Sequence, residues 1–374
     1  MGAAALTPVA FALVTVHFPA GPARSRALGL WGASAALGGT IGVLAGGLLT
    51  QSASWRAVLF VNIPVVAIAF AATLFRIPAD RGSSARPDIL GALLVTAGTT
   101  ALVLGVVRTQ SYPWGSPVTL LTLGLAAVLL AAFVLAELRS TAPLLRIGLL
   151  AVRPVVAANL FVLLAFSGQF AAFYFVSLYL QQVLGYGPAA TGYAFTPFCV
   201  GITIGTVLAT RAIGRLGPRF LLVGGGAMAA AGLGWFGLAM GPRGSFLTSI
   251  LGPSMVVSIG LGLCLVPAGV AATIGVPPAE AGMASGLITS SRQVGGSIGL
   301  AVLATVAITV TRDSHTAARV AALASGYAAA VEVAAGLLAL AAVAAFLLLP
   351  GHRRGVVEAT PRVLGDSRVT GVRR

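Results

Sequence analysis

The sequence predicts an all-α polytopic membrane protein. Three observations carry that prediction: too few charges for a water-covered surface, apolar runs of bilayer-crossing length, and arginines sorted between alternate loops. Of 374 residues 58% are hydrophobic and 8% are charged, whereas a soluble domain needs about a quarter charged residues to cover itself. In hydrocarbon only helices and closed barrels satisfy their own backbone. The apolar runs do not alternate polar and apolar residues with period two, which excludes a barrel.

Eleven apolar segments are expected, at about 2–18, 27–50, 57–75, 89–107, 117–136, 155–180, 190–210, 220–240, 246–274, 284–311 and 322–349. Each suits the roughly 20 residues needed to cross about 30 Å of hydrocarbon. Glycine and proline within them are tolerated by membrane helices. Cys199 and Cys264 both fall inside these runs, so they read as helix-packing residues rather than a disulfide framework.

The net charge of +15 comes from arginine alone, with no lysine. One alternating set of loops carries Arg24, Arg26, Arg76, Arg81, Arg86, Arg139, Arg146, Arg153, Arg211, Arg215 and Arg219, and the tail after Gly351 adds six more. The other set carries only Arg56, Arg108, Arg243, Arg312 and Arg319. By the positive-inside rule the first set and the C-terminus are cytoplasmic, giving a multi-pass protein of the inner (plasma) membrane. This placement makes the charge topogenic and gives no sign of nucleic-acid binding. An odd number of segments with a cytoplasmic tail leads to the further expectation that an odd number of helices precedes Met1.

Several stretches then carry a resemblance. They are Gly2-Ala3-Ala4-Ala5-Leu6-Thr7-Pro8; Arg26 to Gly32 with Gly42-Val43-Leu44-Ala45-Gly46-Gly47; Trp55-Arg56 with Phe60-Val61-Asn62-Ile63-Pro64; Leu178 to Tyr186 with Ala190-Thr191-Gly192 and Pro197; and Gly282-Met283-Ala284-Ser285-Gly286 with Ser291-Arg292-Gln293-Val294-Gly295-Gly296. In order and spacing these resemble the fourteen-helix drug:proton antiporter branch of the major facilitator superfamily. The resemblance implies a major facilitator-type bundle in which the eleven segments stand for helices four to fourteen, so that three are missing upstream. It implies that 1–75 is the remainder of the N-terminal transporter domain, 76–154 a linker region with two inserted helices, 155–349 the complete C-terminal six-helix domain and 350–374 a cytoplasmic tail. It also implies secondary active, proton-coupled export of hydrophobic or cationic drugs or metabolites by alternating access. The family's best-known protonatable carboxylate lies in the first helix, so the chain as it stands is expected to be inactive alone.

Candidate residues come from the chemistry of each segment. Gly38, Gly42 and Gly46 recur every four residues, and Gly39 and Gly47 widen that face, so two helix backbones can approach closely there. In the resembling antiporters this motif seals a gate, although Val43 stands where proline is usual. Arg215 and Arg219 sit in a loop that resembles the second-half gating loop, with Gly214 in place of the usual Asp, and are candidates for contact with helix ends. Glu332 and Arg292 are charges inside apolar spans and are therefore proton or ion-pair candidates. Ser167, Tyr174 and Gln181 repeat every seven residues, and with Phe166, Phe170 and Phe173 they suit a cavity for amphipathic ligands. Asn62 ahead of Pro64 is a further cavity candidate.

His17, His315 and His352 are far apart, so no metal site is expected. No Gly-rich loop with Lys is present to cradle a phosphate, no enzyme constellation appears, and no cofactor is expected. The expected partners are a small-molecule substrate, protons and the lipid bilayer. Two other readings stay open: a non-transporting membrane remnant or sensor, and an exporter of an amino acid, lipid or endogenous metabolite.

Overall fold

The computed structural model describes Ala27 and residues 38–39, 41–76, 88–110, 112–140, 143–277, 280–314 and 318–350. The expected segment 2–18, most of the stretch around Arg26, and the C-terminal tail lie outside the described residues. Every regular element among the described residues is helical. In chain order these are α1 (Ile41–Ser52), α2 (Trp55–Phe60), α3 (Asn62–Arg76), α4 (Ile89–Val107), α5 (Pro117–Arg139), α6 (Arg153–Leu178), α7 (Pro188–Ala194), α8 (Thr196–Ala239), α9 (Gly252–Ala272), α10 (Ala281–Asp313) and α11 (Arg319–Leu348). Eight helical stretches among them are long and apolar enough to cross a membrane. One stretch, Pro188–Ala239, holds two of the expected segments.

Short polar and imino residues set the breaks. Ser54 caps α2 by accepting the Arg56 amide. Pro64 has no N–H to return to Phe60, and the chain breaks at Val61. Asn62 then donates through Nδ2 to the Val58 and Leu59 carbonyls at 3.2 and 3.3 Å. Inside Pro188–Ala239 the break is Gly217, at φ 74° and ψ 164°. Only glycine adopts that backbone cheaply, and Pro218 is preset to start the next turn.

Glycine also sets how closely the helices pack, as expected where lipid removes any hydrophobic drive between them. In the α4–α5 hairpin Gly91, Gly98 and Gly105 recur every seven residues. A methyl built on Gly98 would lie 2.9 Å from the Leu130 side chain. Asp88 caps α4 by accepting the Gly91 amide at 2.8 Å. Glu137 is buried at the end of α5, where its Oε2 accepts the Leu145 amide at 3.2 Å. The α9 helix lies between the two limbs of α8: Gly262 backs on Gly205 of the first limb, and Gly260 on Gly225 of the second.

The helices from α6 to α11 form one bundle around α6, whose inward face buries Phe175 and whose following turn buries Tyr179 and Leu180. On that face Gly168 packs against Ala334 and Leu338 of α11, and Phe175 meets Tyr327 at 5.8 Å between ring centroids. Polar ties close both ends of the bundle. Tyr327 donates to Gln182 Oε1 at 2.7 Å and Tyr179 to the Gly241 carbonyl at 2.7 Å. At the other end Arg146 pairs with Glu280, and Ser291 donates to Asn159 Oδ1 at 2.8 Å.

Candidate substrate face and its closure

The α6 helix is flanked on two sides, and the strip between them is open. On one side α10 packs through small residues: Gly295 sits on Leu163, Gly296 on the Phe170 ring and Gly299 on Ser167. On the other side Phe173 stacks on Phe195 at 5.0 Å and meets Phe198 edge-on at 4.4 Å. Between them Phe166 is half-buried, while Phe170 and Tyr174 are 45% and 47% exposed. Phe166 and Phe170 lie 6.1 Å apart between ring centroids. The Arg292 guanidinium of α10 sits 5.3 Å from the centre of the Phe166 ring. The result is an aromatic strip with one cation at its edge.

The cavity candidates divide over this geometry. Phe170 and Tyr174 are on the open strip. Ser167 is not: it is 5% exposed, and its hydroxyl lies 2.7 Å from the Leu163 carbonyl and 2.8 Å from that of Gly295. A seven-residue repeat puts residues on one side of a helix, but the glycines of α10 come close enough to cover Ser167. Gln181 is exposed and donates to Ser177 Oγ at 3.0 Å. It lies in a π turn, Tyr179–Val183, whose extra residue rotates the downstream chain out of the α-helical register. Asn62 is exposed and tied to the carbonyls of α2, and none of the Trp55–Phe75 span is buried. Of the candidate aromatics, Phe173 turns from the strip into the contact with α8.

Neither ion candidate has an ionic partner among the described residues, where the ion pair is Arg146–Glu280. Glu332 is exposed on α11 and packs against Gly237 in the second limb of α8. Since α11 packs on the face of α6 opposite Phe170, α6 stands between Glu332 and the aromatic strip. Arg219, one residue past Pro218, donates to the Phe346 carbonyl at 2.7 Å and lies 4.7 Å from the Phe346 ring. That carbonyl is among the last four of α11, which have no intrahelical donor, so Arg219 meets a helix end as its loop position suggests. Arg215 is exposed and meets no helix end among the described residues.

Of the glycines of α1, Gly47 makes the close approach. A methyl on it would lie 2.8 Å from the Pro188 carbonyl oxygen and 3.4 Å from Gly192 Cα; one on Gly192 would lie 3.1 Å from the Val43 carbonyl. Gln51 Oε1 accepts the Ala189 amide at 3.2 Å, taking a first-turn N–H of α7 that has no partner in its own helix. Among the described residues nothing lies within 4 Å of a methyl built on Gly38, Gly39 or Gly42, and one on Gly46 meets Val58. Sequence reasoning missed Gly192 and Gln51 as parts of this contact, and the signal was there: Pro188-Ala-Ala-Thr-Gly192 is as small as the α1 run it meets.

Comparison with known proteins fits this architecture. A family model described as Major Facilitator Superfamily matches residues 1–300. The chain is similar to the puromycin resistance protein pur8 of Streptomyces alboniger, 37% identical over 366 residues, which is 95% of this chain and 72% of that protein. It is similar to the cephamycin export protein CmcT of Amycolatopsis lactamdurans, 39% identical over 370 residues, 96% of this chain and 74% of the other. It is also 34% identical over 307 residues to the multidrug resistance protein Stp of Mycobacterium tuberculosis, covering 57% of that protein. An all-helical chain with membrane-crossing spans, small-residue helix contacts and this family match belongs to the Major Facilitator Superfamily of membrane transporters.

Proposed function

We propose that the protein carrying this chain exports drugs or antibiotic-like metabolites across the inner membrane by alternating access, driven by proton entry. The open aromatic strip of Phe166, Phe170 and Tyr174 carries the reading. An amphipathic compound needs flat apolar contact with polar groups at its edge, and the strip offers both. Relatives named for puromycin resistance, cephamycin export and multidrug resistance support the same direction of transport. In this reading α1–α3 belong to the first transporter domain, α4 and α5 are the inserted pair, and α6–α11 are the second domain. The Gly47–Gly192 contact is then an interdomain closure on the outer side, with Arg215, Arg219 and the C-terminus in the cytoplasm. Glycines let the two backbones meet and part without side chains to reorder, which suits a surface that must open once per cycle.

The test is deletion of the gene in its own host. Sensitivity to aromatic antibiotics should rise, with greater retention of them in the cells, and the wild-type gene should restore both. Restoration should fail when an uncoupler collapses the proton gradient. Unchanged sensitivity and retention across a broad panel would refute export.

A further inference from the structure

The aromatic strip carries a cation that no acidic group among the described residues neutralises. Arg292 lies in the middle third of α10, one turn before Gly295 and Gly296, whose contact with α6 sets it beside Phe166. It is half-buried, and none of its N–H donors has a hydrogen-bond acceptor among the described residues. The acidic groups there are committed or remote. Glu280 pairs with Arg146, Asp88 and Glu137 sit at one end of the α4–α5 hairpin, Asp313 ends α10, and Glu332 lies behind α6 against Gly237. A ring face attracts a guanidinium, but it leaves the planar fork of donors unfilled. An unneutralised charge within a membrane span is costly, and the cost is offset when a bound ligand brings the opposite charge.

We infer that Arg292, Phe166 and Phe170 form a subsite for an acidic oxygen group attached to a flat aromatic ring: a carboxylate, a phenolate or an enolate. The inference rests on reading the strip as the substrate face. The guanidinium fork takes the oxygens in paired, charge-assisted hydrogen bonds. The ligand ring lies against Phe166 and Phe170, which are spaced for offset or edge-on contact. The charge preference is the reverse of what an acidic cavity residue would impose, so this face selects aromatic acids over aromatic cations of the same shape.

Fluorescein and rhodamine 6G test this directly, because both carry a xanthene ring but with opposite charge. Binding of each to the purified full chain in detergent would be followed by fluorescence anisotropy at fixed ionic strength. Wild type should bind fluorescein about tenfold more tightly than rhodamine 6G or better, the scale of a site with one specific polar pairing. Arg292→Gln should weaken fluorescein by about tenfold while leaving rhodamine 6G within about twofold. Arg292→Lys, a point charge without the fork, should fall between. Phe166→Leu should weaken both dyes. The inference is overturned if wild type shows no preference for fluorescein, if Arg292→Gln leaves fluorescein binding intact, or if it weakens both dyes equally. Gene deletion judges the export reading separately, since binding to the purified chain needs no transport.

Discussion

Gly47 of α1 and Gly192 of α7 pack back to back, each facing backbone of the other's helix: Pro188 and Gly192 on one side, Val43 on the other. A side chain at either position meets carbonyl and Cα atoms, which cannot rotate aside. Gly47→Leu and Gly192→Leu should each reduce export by about tenfold or more with normal amounts of protein in the membrane, the loss expected when a required close approach is blocked. Gly42→Leu, which meets nothing among the described residues, should stay near wild type. Compound retention in the deletion host carrying each variant reads this out. Equal behaviour of all three would show that the contact is not used.

Phe170 and Tyr174 should separate from Ser167 in function. Phe170→Ala and Tyr174→Ala should raise the KM for export with little change in stability, because half-exposed rings support little packing. Ser167→Ala should leave KM unchanged and lower the stability of the purified protein by about 1 kcal/mol, the net worth of one hydrogen bond. The checks are transport kinetics in inverted vesicles and thermal unfolding of the same variants. A raised KM for Ser167→Ala would return that residue to the substrate face.

Arg219 ties the start of the second limb of α8 to the end of α11. Arg219→Gln should lower the unfolding midpoint, corresponding to about 1 kcal/mol after allowing for solvent screening of an exposed site. Arg215→Gln, with no contact to lose among the described residues, should leave the midpoint unchanged. Differential scanning fluorimetry of both variants decides. Equal shifts would mean that loop charge, rather than the bond to Phe346, is what matters.

Glu332 stands behind α6 from the strip, so export should not depend on its carboxylate. Glu332→Gln should retain export within about twofold of wild type and keep its sensitivity to uncoupler, as expected of a group outside the proton path. Loss of that sensitivity in Glu332→Gln would instead make Glu332 a proton carrier.

Hydropathy made the helical spans legible because the bilayer imposes a length that can be counted. The break between two of them was legible as the loop from Arg211 to Arg219, and the chain turns there at Gly217. Side-chain orientation was harder to read. The four-residue repeat of Gly38, Gly42 and Gly46 points to one face of α1, yet the contact falls on Gly47, about 100° round the helix. Small residues show that backbones can meet, and only the position of α7 decides which residues do. Ser167 fails as a cavity residue for a similar reason, since the covering surface is Gly295 and Gly299, more than a hundred residues away in sequence. Gln181 depends on a π turn for which its neighbours give no local signal. Arg292 and the aromatic strip were each visible as types, but their adjacency needed the packing of α10 on α6.

In the proposed export cycle, compounds leave the cell along the Phe166–Phe170–Tyr174 strip. The most direct measurement uses the compound whose toxicity rises most when the gene is deleted. Its uptake into inverted vesicles, driven by an imposed pH gradient, would be compared between wild type and Phe170→Ala. Wild type should show saturable, gradient-dependent uptake, and Phe170→Ala a KM raised by about tenfold, the effect of losing one aromatic contact. Identical KM values for the two proteins would contradict it.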